Sequence, residues 1–310
     1  MLIASSVEQI KTPTAIALGN FDGIHQGHRT VLRAIKDSLP TSPASNVIPS
    51  VVSFTPHPRE FFTGAKLQLL TPVEQKAEIL SELGIEQLVL LPFNQDLASL
   101  SPQQFVEQIL VQRLKTVSIS VGTDFRFGYQ RQGTGEDLKQ IAAQYGIKVQ
   151  LNSLHKYCDR QNQQVRVSSS LIRQALTAGD MQTANFMLDR AYSLWGTVVT
   201  GQQLGRTIGF PTANLQLPEE KFLPRFGVYA VDVLLATTTV KGVMNIGCRP
   251  TVAGESPTIE VHLLNWSGDL YGQTLKVNLL KFLRPEQKFD SVDALKQQIA
   301  QDCQLVLNDF

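Results

Sequence analysis

Five short, largely apolar runs separated by four helical stretches fill the first half of this chain, and that alternation leaves few folds open. The runs are Ile16–Leu18, Val51–Phe54, EQLVLLPF, VSISVG and IKVQL. A strand that is apolar on both faces has to be covered on both sides, and the intervening helices supply the cover. Cap residues punctuate those helices. TPVEQKAEILSELG offers Thr71 as N-cap, Pro72 at the first helical position, Glu74 to close a capping box and Gly84 as a stop. SPQQFVEQIL repeats the pattern with Ser101, Pro102 and Gln104. Further helices are read from Gly27 to Leu39 and from Glu136 to Tyr145. The expectation is an α/β unit with a parallel sheet between two helical layers.

From about Tyr192 the pattern changes. LWGTVVTG, GVYAVDVLL, VKGVMNIG, TIEVHLL and LKVNLLKFL are joined by turn residues, and several alternate apolar with polar positions, as half-buried antiparallel strands do. Helical spacing returns from Ser291 to about Leu307. The second half therefore reads as a small closed or nearly closed β-barrel with a terminal helix. The boundary falls in the helical segment AGDMQTANFMLDRAY, giving domains 1–185 and 186–310.

Composition narrows the partners. The 310 residues are 43% hydrophobic and 18% charged, with a net charge of +1, so no overall basic field favours nucleic acid or an anionic membrane. No run reaches the ~18 apolar residues of a membrane helix, and the N-terminus lacks a basic region followed by a long apolar stretch. Cys158, Cys248 and Cys303 have neither metal nor redox spacing. A cytoplasmic enzyme or binding protein is expected, with oligomeric state open.

One strand-to-helix turn stands out chemically. In ALGNFDGIHQGH, Gly19 and Gly23 permit a tight turn, His25 precedes a helix, and His28 falls in its first turn. Unpaired N–H groups and the positive dipole end suit a phosphate there, and two imidazoles add donors. A structural role or a metal pair fits the histidines alone, although no third ligand is evident. GQQLGRT is one residue short of a P-loop, and GTGEDL lacks the third glycine of a dinucleotide fingerprint. A second segment, VRVSSSLIRQAL, puts Ser168, Ser169 and Ser170 at a helix start with Arg173 one turn in. That is a cap with an arginine, or a phosphate grip.

In the barrel half, GRTIGFPTANL brings together Gly205, Arg206, Gly209, Pro211, Thr212 and Asn214. Glycines allow close approach to phosphate, and the Thr212 and Asn214 oxygens are hard donors of the kind magnesium prefers. The segment serves equally well as a loop. Glu260 lies 46 residues beyond Asn214 in TIEVHLL, either on a solvated strand face or as a general base.

GNFDGIHQGH, followed about 140 residues later by VSSSLIR, resembles the HxGH-type nucleotidylyltransferases, specifically the bacterial bifunctional riboflavin kinase/FAD synthetase family. TPHP (55–58) and GTDFRFG (122–128) match its first domain. GRTIGFPTANL, GVYAV, GVMNIGCRPT, EVHLL and LRPEQKF follow in the order of its kinase module. The resemblance implies a Rossmann-like nucleotidylyltransferase domain and a six-stranded kinase barrel. It also implies that His25 and His28 contact ATP phosphates beside Gly19, Asn20, Phe21, Asp22 and Gly23. Ser168, Ser169 and Arg173 would hold the triphosphate tail, and His57, Asp124, Phe125 and Phe127 would lie near the flavin. In the kinase half, Gly205, Arg206, Gly209 and Pro211 would approach ATP. Thr212 and Asn214 would bind Mg2+, and Glu260 would activate the riboflavin hydroxyl. The chain departs from many relatives at Asn265, where they carry aspartate, and at Ser170, where they carry threonine. Two ATP-dependent steps are expected, riboflavin to FMN and FMN to FAD. A flavin or nucleotide sensor, or an adenylyltransferase with a silent kinase half, stands as the alternative.

Overall fold

The computed structural model describes residues 1–39, 46–153, 155–158, 164–201, 204–236, 238–251 and 254–309. They form two compact units, Met1–Ser169 and Ser170–Phe310.

The first unit is built on β1 (Leu2–Ala4), β2 (Thr14–Leu18), β3 (Ile48–Thr55), β4 (Gln87–Pro92) and β5 (Thr116–Gly122). Two short pairs follow, β6 (Arg126–Phe127) with β7 (Gly133–Thr134), and β9 (Lys156–Cys158) with β10 (Gln164–Arg166). Between them runs β8 (Lys148–Asn152). The main sheet is parallel, in the order β1–β4–β3–β2–β5–β8. Alternate residues of each central strand feed opposite faces. Ile16, Leu18, Val52, Val89 and Leu91 join one core cluster, whereas Ala15, Ala17, Val51, Leu88 and Leu90 join the other. This is why those runs are apolar throughout, each fully buried Leu, Ile or Val contributing about 1.5–3 kcal/mol. Helices α1 (Gln26–Asp37) and α3 (Val73–Glu82) cover one face; α6 (Gly135–Ala143) helps to cover the other. The chain runs from β2 outward to β3 and from β5 outward to β8. A crevice therefore opens between the carboxyl ends of β2 and β5.

Two local expectations change. Thr71 does not cap α3; Pro72 holds that position and no side chain caps the helix. The Thr71 hydroxyl is engaged elsewhere, by Gly23. The Ser101–Gln104 capping box forms as expected at α5 (Pro102–Gln104), but the chain beyond it winds as a π-helix over Phe105–Arg113. Val106, Leu110 and Leu114, all fully buried, repeat every four residues. An α-helix would rotate such a row by about 40° per step, so the wider coil holds it on the sheet. Two other short helices, α2 (Pro58–Thr63) and α4 (Gln95–Ser99), follow β3 and β4.

The second unit carries α7 (Ser169–Ala178, its first residue belonging to the first unit) and α8 (Met181–Leu188). Its strands are β11 (Tyr192–Val199), β12 (Ala213–Gln216), β13 (Gly227–Leu234), β14 (Thr239–Thr251), β15 (Gly254–Leu263) and β16 (Thr274–Arg284). They close into an antiparallel barrel in the order β11–β12–β15–β14–β13–β16. The four-residue β12, read from the sequence only as part of a phosphate or turn segment, is the piece that closes it. Val228 and Ala230 face a second cluster with Cys303 and Val306 of α10 (Val292–Asp309), so β13 too is buried on both faces. Arg284 and Asp302 tie β16 to α10 through a bidentate ion pair, with contacts of 2.9–3.2 Å. The side chain of Cys158 lies outside the described residues. Among those residues no helix is long and apolar enough to cross a membrane.

Candidate functional sites

The turn from β2 into α1 holds Phe21 and Ile24 at φ +48° and +41°, and Gly23 at +89°. For Phe21 and Ile24 the left-handed region costs about 1–3 kcal/mol each, and both side chains are buried as anchors. A set of long-range hydrogen bonds holds the turn in place. Gly23 N–H donates to Thr71 Oγ1 at 2.9 Å, and Thr71 N–H donates to the Asp22 carboxylate at 3.1 Å. Lys76 Nζ donates to the Asn20 carbonyl at 2.8 Å, where Ser53 also reaches at 3.4 Å. Ser169 Oγ, at the start of α7, donates to the Asp22 carbonyl at 2.8 Å. Expected as a cap residue, this serine instead ties the helix start to the turn. Burial pushes the Lys76 ammonium below its ordinary range, and Asp22 opposes the shift.

His25 is the N-cap of α1. Its Nδ1 accepts from His28 N–H at 3.3 Å, which puts its proton on Nε2. Its ring stacks on that of His28 at 3.7 Å and 14°, and Phe21 lies 5.0 Å from His28. Gly27 packs closely under the His25 ring, where a Cβ would come within 3.3 Å and press on it. No acidic residue occupies the first turn of α1. The result is a helix start with imidazole donors and no carboxylate in its first turn, suited to an anion.

The remaining residues expected in this half take several positions. Arg173, on α7, lies with its guanidinium 5.6 Å over the Phe222 ring within the second unit. Asp124 pairs with Arg166. Phe125 stacks on Phe127, and Phe127 is buried against Phe105 as part of the core. His57 caps α2 by accepting from Arg59 N–H at 3.0 Å. Beside it, Phe54, Phe61, Phe62 and Phe93 form an edge-to-face cluster with centroids 5.3–5.8 Å apart, and Phe62 is 69% exposed.

In the barrel, register builds the second constellation. Glu260 on β15 lies opposite Asn214 on β12 and Asn245 on β14, so three polar residues form one row across three strands. Val261 is buried while Glu260 and His262 are half-buried, which places that row on the outer face of the wall. His262 Nδ1 lies 2.7 Å from the Pro211 carbonyl. A carbonyl only accepts, so this nitrogen carries the proton and clamps the segment bearing Thr212. Phe210 packs edge-on against the same ring. Gly205, in α9 (Leu204–Thr207) beside exposed Arg206, leaves room for Phe210, whose carbonyl would lie 2.3 Å from a Cβ there. Gly201 likewise makes room for the Asn214 amide, and Gly209 adopts φ +90°. Asn265, the departure noted in the sequence, sits at φ +53°, a conformation in which asparagine is enriched. Among the described residues no group of three His, Cys, Asp or Glu converges as a metal cage.

Comparison with known proteins matches both halves of the chain. The FAD synthetase family model matches residues 7–171, and the riboflavin kinase family model matches 188–310. The bifunctional riboflavin kinase/FMN adenylyltransferase of Escherichia coli is 40% identical over 93% of this chain and 90% of its own length. The chain belongs to the bifunctional riboflavin kinase/FMN adenylyltransferase family. The Bacillus subtilis member is 35% identical, covering 98% of this chain and 95% of its own. A crystal structure described as a macrolide-efflux protein from Streptococcus pneumoniae superposes with a TM-score of 0.85 at 31% identity, over 99% of this chain and 98% of that one.

Within this family member, several residues around the two sites escaped the sequence reading. Gly27 and His262 stood inside quoted motifs, and the ring and carbonyl they serve were invisible there. Thr71 and Lys76 lie about 50 residues from the turn they hold, inside a helix signal that explained them locally. Asn245 also stood inside a quoted motif, GVMNIGCRPT, with no sign of its place opposite Glu260.

Proposed function

We propose that the chain converts riboflavin to FAD in two ATP-dependent steps, one in each half, with the functional boundary at 185/186. The contact boundary at Ser169/Ser170 and the family matches ending at 171 and resuming at 188 bracket that assignment on its N-terminal side and just beyond it. In the barrel, Glu260 takes the proton of the terminal ribityl hydroxyl, whose oxygen attacks the γ-phosphorus of ATP, and ADP leaves. Asn214 and Asn245 flank it in register on the neighbouring strands. Thr212 and Asn214 are hard oxygen donors, too few to enclose an ion, which fits Mg2+ held chiefly by substrate phosphates and water. When bound, that ion neutralises charge on the phosphates. Gly205, Arg206, Gly209 and Pro211 provide the close approach to ATP.

In the α/β half a phosphate oxygen of FMN attacks the α-phosphorus of a second ATP, and pyrophosphate leaves. No covalent intermediate on the protein is required, because the nucleophile is already an anion. His25 and His28 donate to the phosphates beside the turn Gly19–Asn20–Phe21–Asp22–Gly23, with Ser168, Ser169 and Arg173 assigned to the triphosphate tail. The flavin is assigned to the surface near His57, Asp124 and Phe125, with buried Phe127 behind Phe125 and exposed Phe62 offering an aromatic face beside His57. We place both reactions in the cytoplasm, where ATP is plentiful.

The stacked histidine pair at a helix start free of acidic residues is the observation that carries the adenylyltransferase reading. The test is a time course of riboflavin, ATP and Mg2+ with purified protein, the flavins being separated by chromatography. FMN rises first and then gives way to FAD. Conversion that stops at FMN refutes the role of the α/β half. Unchanged riboflavin alongside FMN-to-FAD conversion refutes that of the barrel.

A further inference from the structure

Lys76 belongs to none of the motifs that carry the two reactions, yet it is the lysine whose ammonium reaches the phosphate turn. It stands on α3, is 6% exposed, and donates at 2.8 Å to the carbonyl of Asn20. Its position in the helix signal TPVEQKAEIL gives a bland reason for a lysine, a solvated helix face, and the structure removes that reason. A buried ammonium is costly unless it is paired and hydrogen-bonded. Here the offset comes from the Asn20 carbonyl and the attraction of the Asp22 carboxylate. Both partners are in the turn between β2 and α1, and nothing in the packing of α3 itself needs the charge.

The turn requires such a tether. Phe21 and Ile24 hold left-handed φ values on either side of Asp22, and their strained conformations persist only while neighbours over-determine them. Thr71 ties Gly23 and Asp22 from the start of α3, and Ser169 ties the Asp22 carbonyl. Lys76 ties the residue before the first strained position. We propose that Lys76 is a positioning residue for adenylyl transfer: its ammonium fixes the Asn20–Asp22 segment so that the turn and the His25 cap present their donors to the transferring phosphoryl group. It touches neither substrate nor reacting atoms.

The inference rests on the adenylyltransferase reading of the α/β half, and the experiment separates the two. FMN-to-FAD conversion is measured for the wild type, Lys76→Met, Asp22→Asn and the double variant Lys76→Met/Asp22→Asn, with rates normalised to folded protein and the double variant read against Asp22→Asn. Riboflavin phosphorylation by the same samples serves as a control in the other half. Methionine preserves the length of the apolar stem and removes the charge and the donor. Displacement of the turn by about 1 Å predicts a loss on the order of 100-fold in kcat for adenylyl transfer. The loss falls equally on kcat/KM, since what is lost is an interaction realised in the transition state. The KM for FMN and the kinase rate stay unchanged. In the single variant the buried Asp22 carboxylate loses the attraction of the ammonium, so the melting temperature also falls. The double variant restores the melting temperature but not the rate. If Lys76→Met yields no soluble protein, comparison of the double variant with Asp22→Asn decides the matter, a double-variant rate within about threefold of Asp22→Asn overturning the proposal. Recovery of both melting temperature and rate makes Lys76 a mere counter-ion and overturns the proposal, as does a single-variant rate within about threefold of wild type. A wild type that makes no FAD from FMN refutes the underlying reading instead.

Discussion

His25 does two jobs that a pair of substitutions can separate. Its Nδ1 caps α1 by accepting from His28 N–H, and its ring stacks on His28 at 3.7 Å, while Nε2–H is the donor assigned to phosphate. Loss of an N-cap side chain costs about 1 kcal/mol, and an aromatic pair contributes about 0.5–1.5 kcal/mol. His25→Ala removes both, about 2 kcal/mol together. For a unit of this size that lowers the melting temperature by about 4–8 °C, at 2–4 °C per kcal/mol. His25→Asn keeps a good cap and loses only the stack, so its melting temperature falls by half as much. Both variants lose the Nε2 donor. Removing one such donor to developing charge costs about 100–1,000-fold in kcat, and adenylyl transfer falls by that factor in both. Calorimetry on the two variants, with FMN-to-FAD rates and riboflavin phosphorylation as the internal control, reads all three quantities. If His25→Asn destabilises as much as His25→Ala, the cap assignment fails. If His25→Asn adenylylates FMN at close to the wild-type rate, the phosphate role fails.

Three further outcomes follow from the barrel. Glu260→Gln lowers FMN formation by about 100–10,000-fold, the usual contribution of a general base, and leaves FMN-to-FAD conversion untouched; a loss of both activities would refute the division of labour. His262→Phe frees the Pro211 carbonyl and raises the Mg2+ concentration needed for half-maximal kinase activity, whereas His262→Asn, which retains an N–H donor, restores part of it; identical magnesium titrations for the two would refute the clamp. Asp302→Asn breaks the pair with Arg284, whose side chain is 18% exposed. Removing one partner of a buried pair costs about 3–5 kcal/mol, and partial exposure places this case at or below the lower end. Urea unfolding reports the loss, with the kinase KM for ATP unchanged below the transition.

Much of the architecture was legible because its causes are local. Runs apolar on both faces announce a covered parallel sheet, and alternation after Tyr192 announces a barrel. Ser101 with Gln104, and Gly84 at φ +79°, mark helix ends using groups within a few residues of one another. The placement of His25 and His28 at a helix start was legible for the same reason. The resemblance of the ordered motifs supplied the chemistry that spacing alone left open.

What the tertiary structure decided was where polar groups go when a distant partner competes with a near one. Thr71 looked like a helix cap and holds Gly23 instead. Lys76, unremarked inside the α3 helix signal, is buried with its ammonium on the Asn20 carbonyl. Phe127, implied near the flavin, fills the core beside Phe105, and PTANLQ supplies the short strand that closes the barrel. The apolar repeat of Val106, Leu110 and Leu114 reads as an ordinary helix, and in the structure the chain there winds as a wider coil with all three buried. Sequence fixes the periodicity of each element, because side-chain direction follows from backbone geometry alone. It leaves open which donor meets which acceptor across tens of residues, because that depends on how the elements pack.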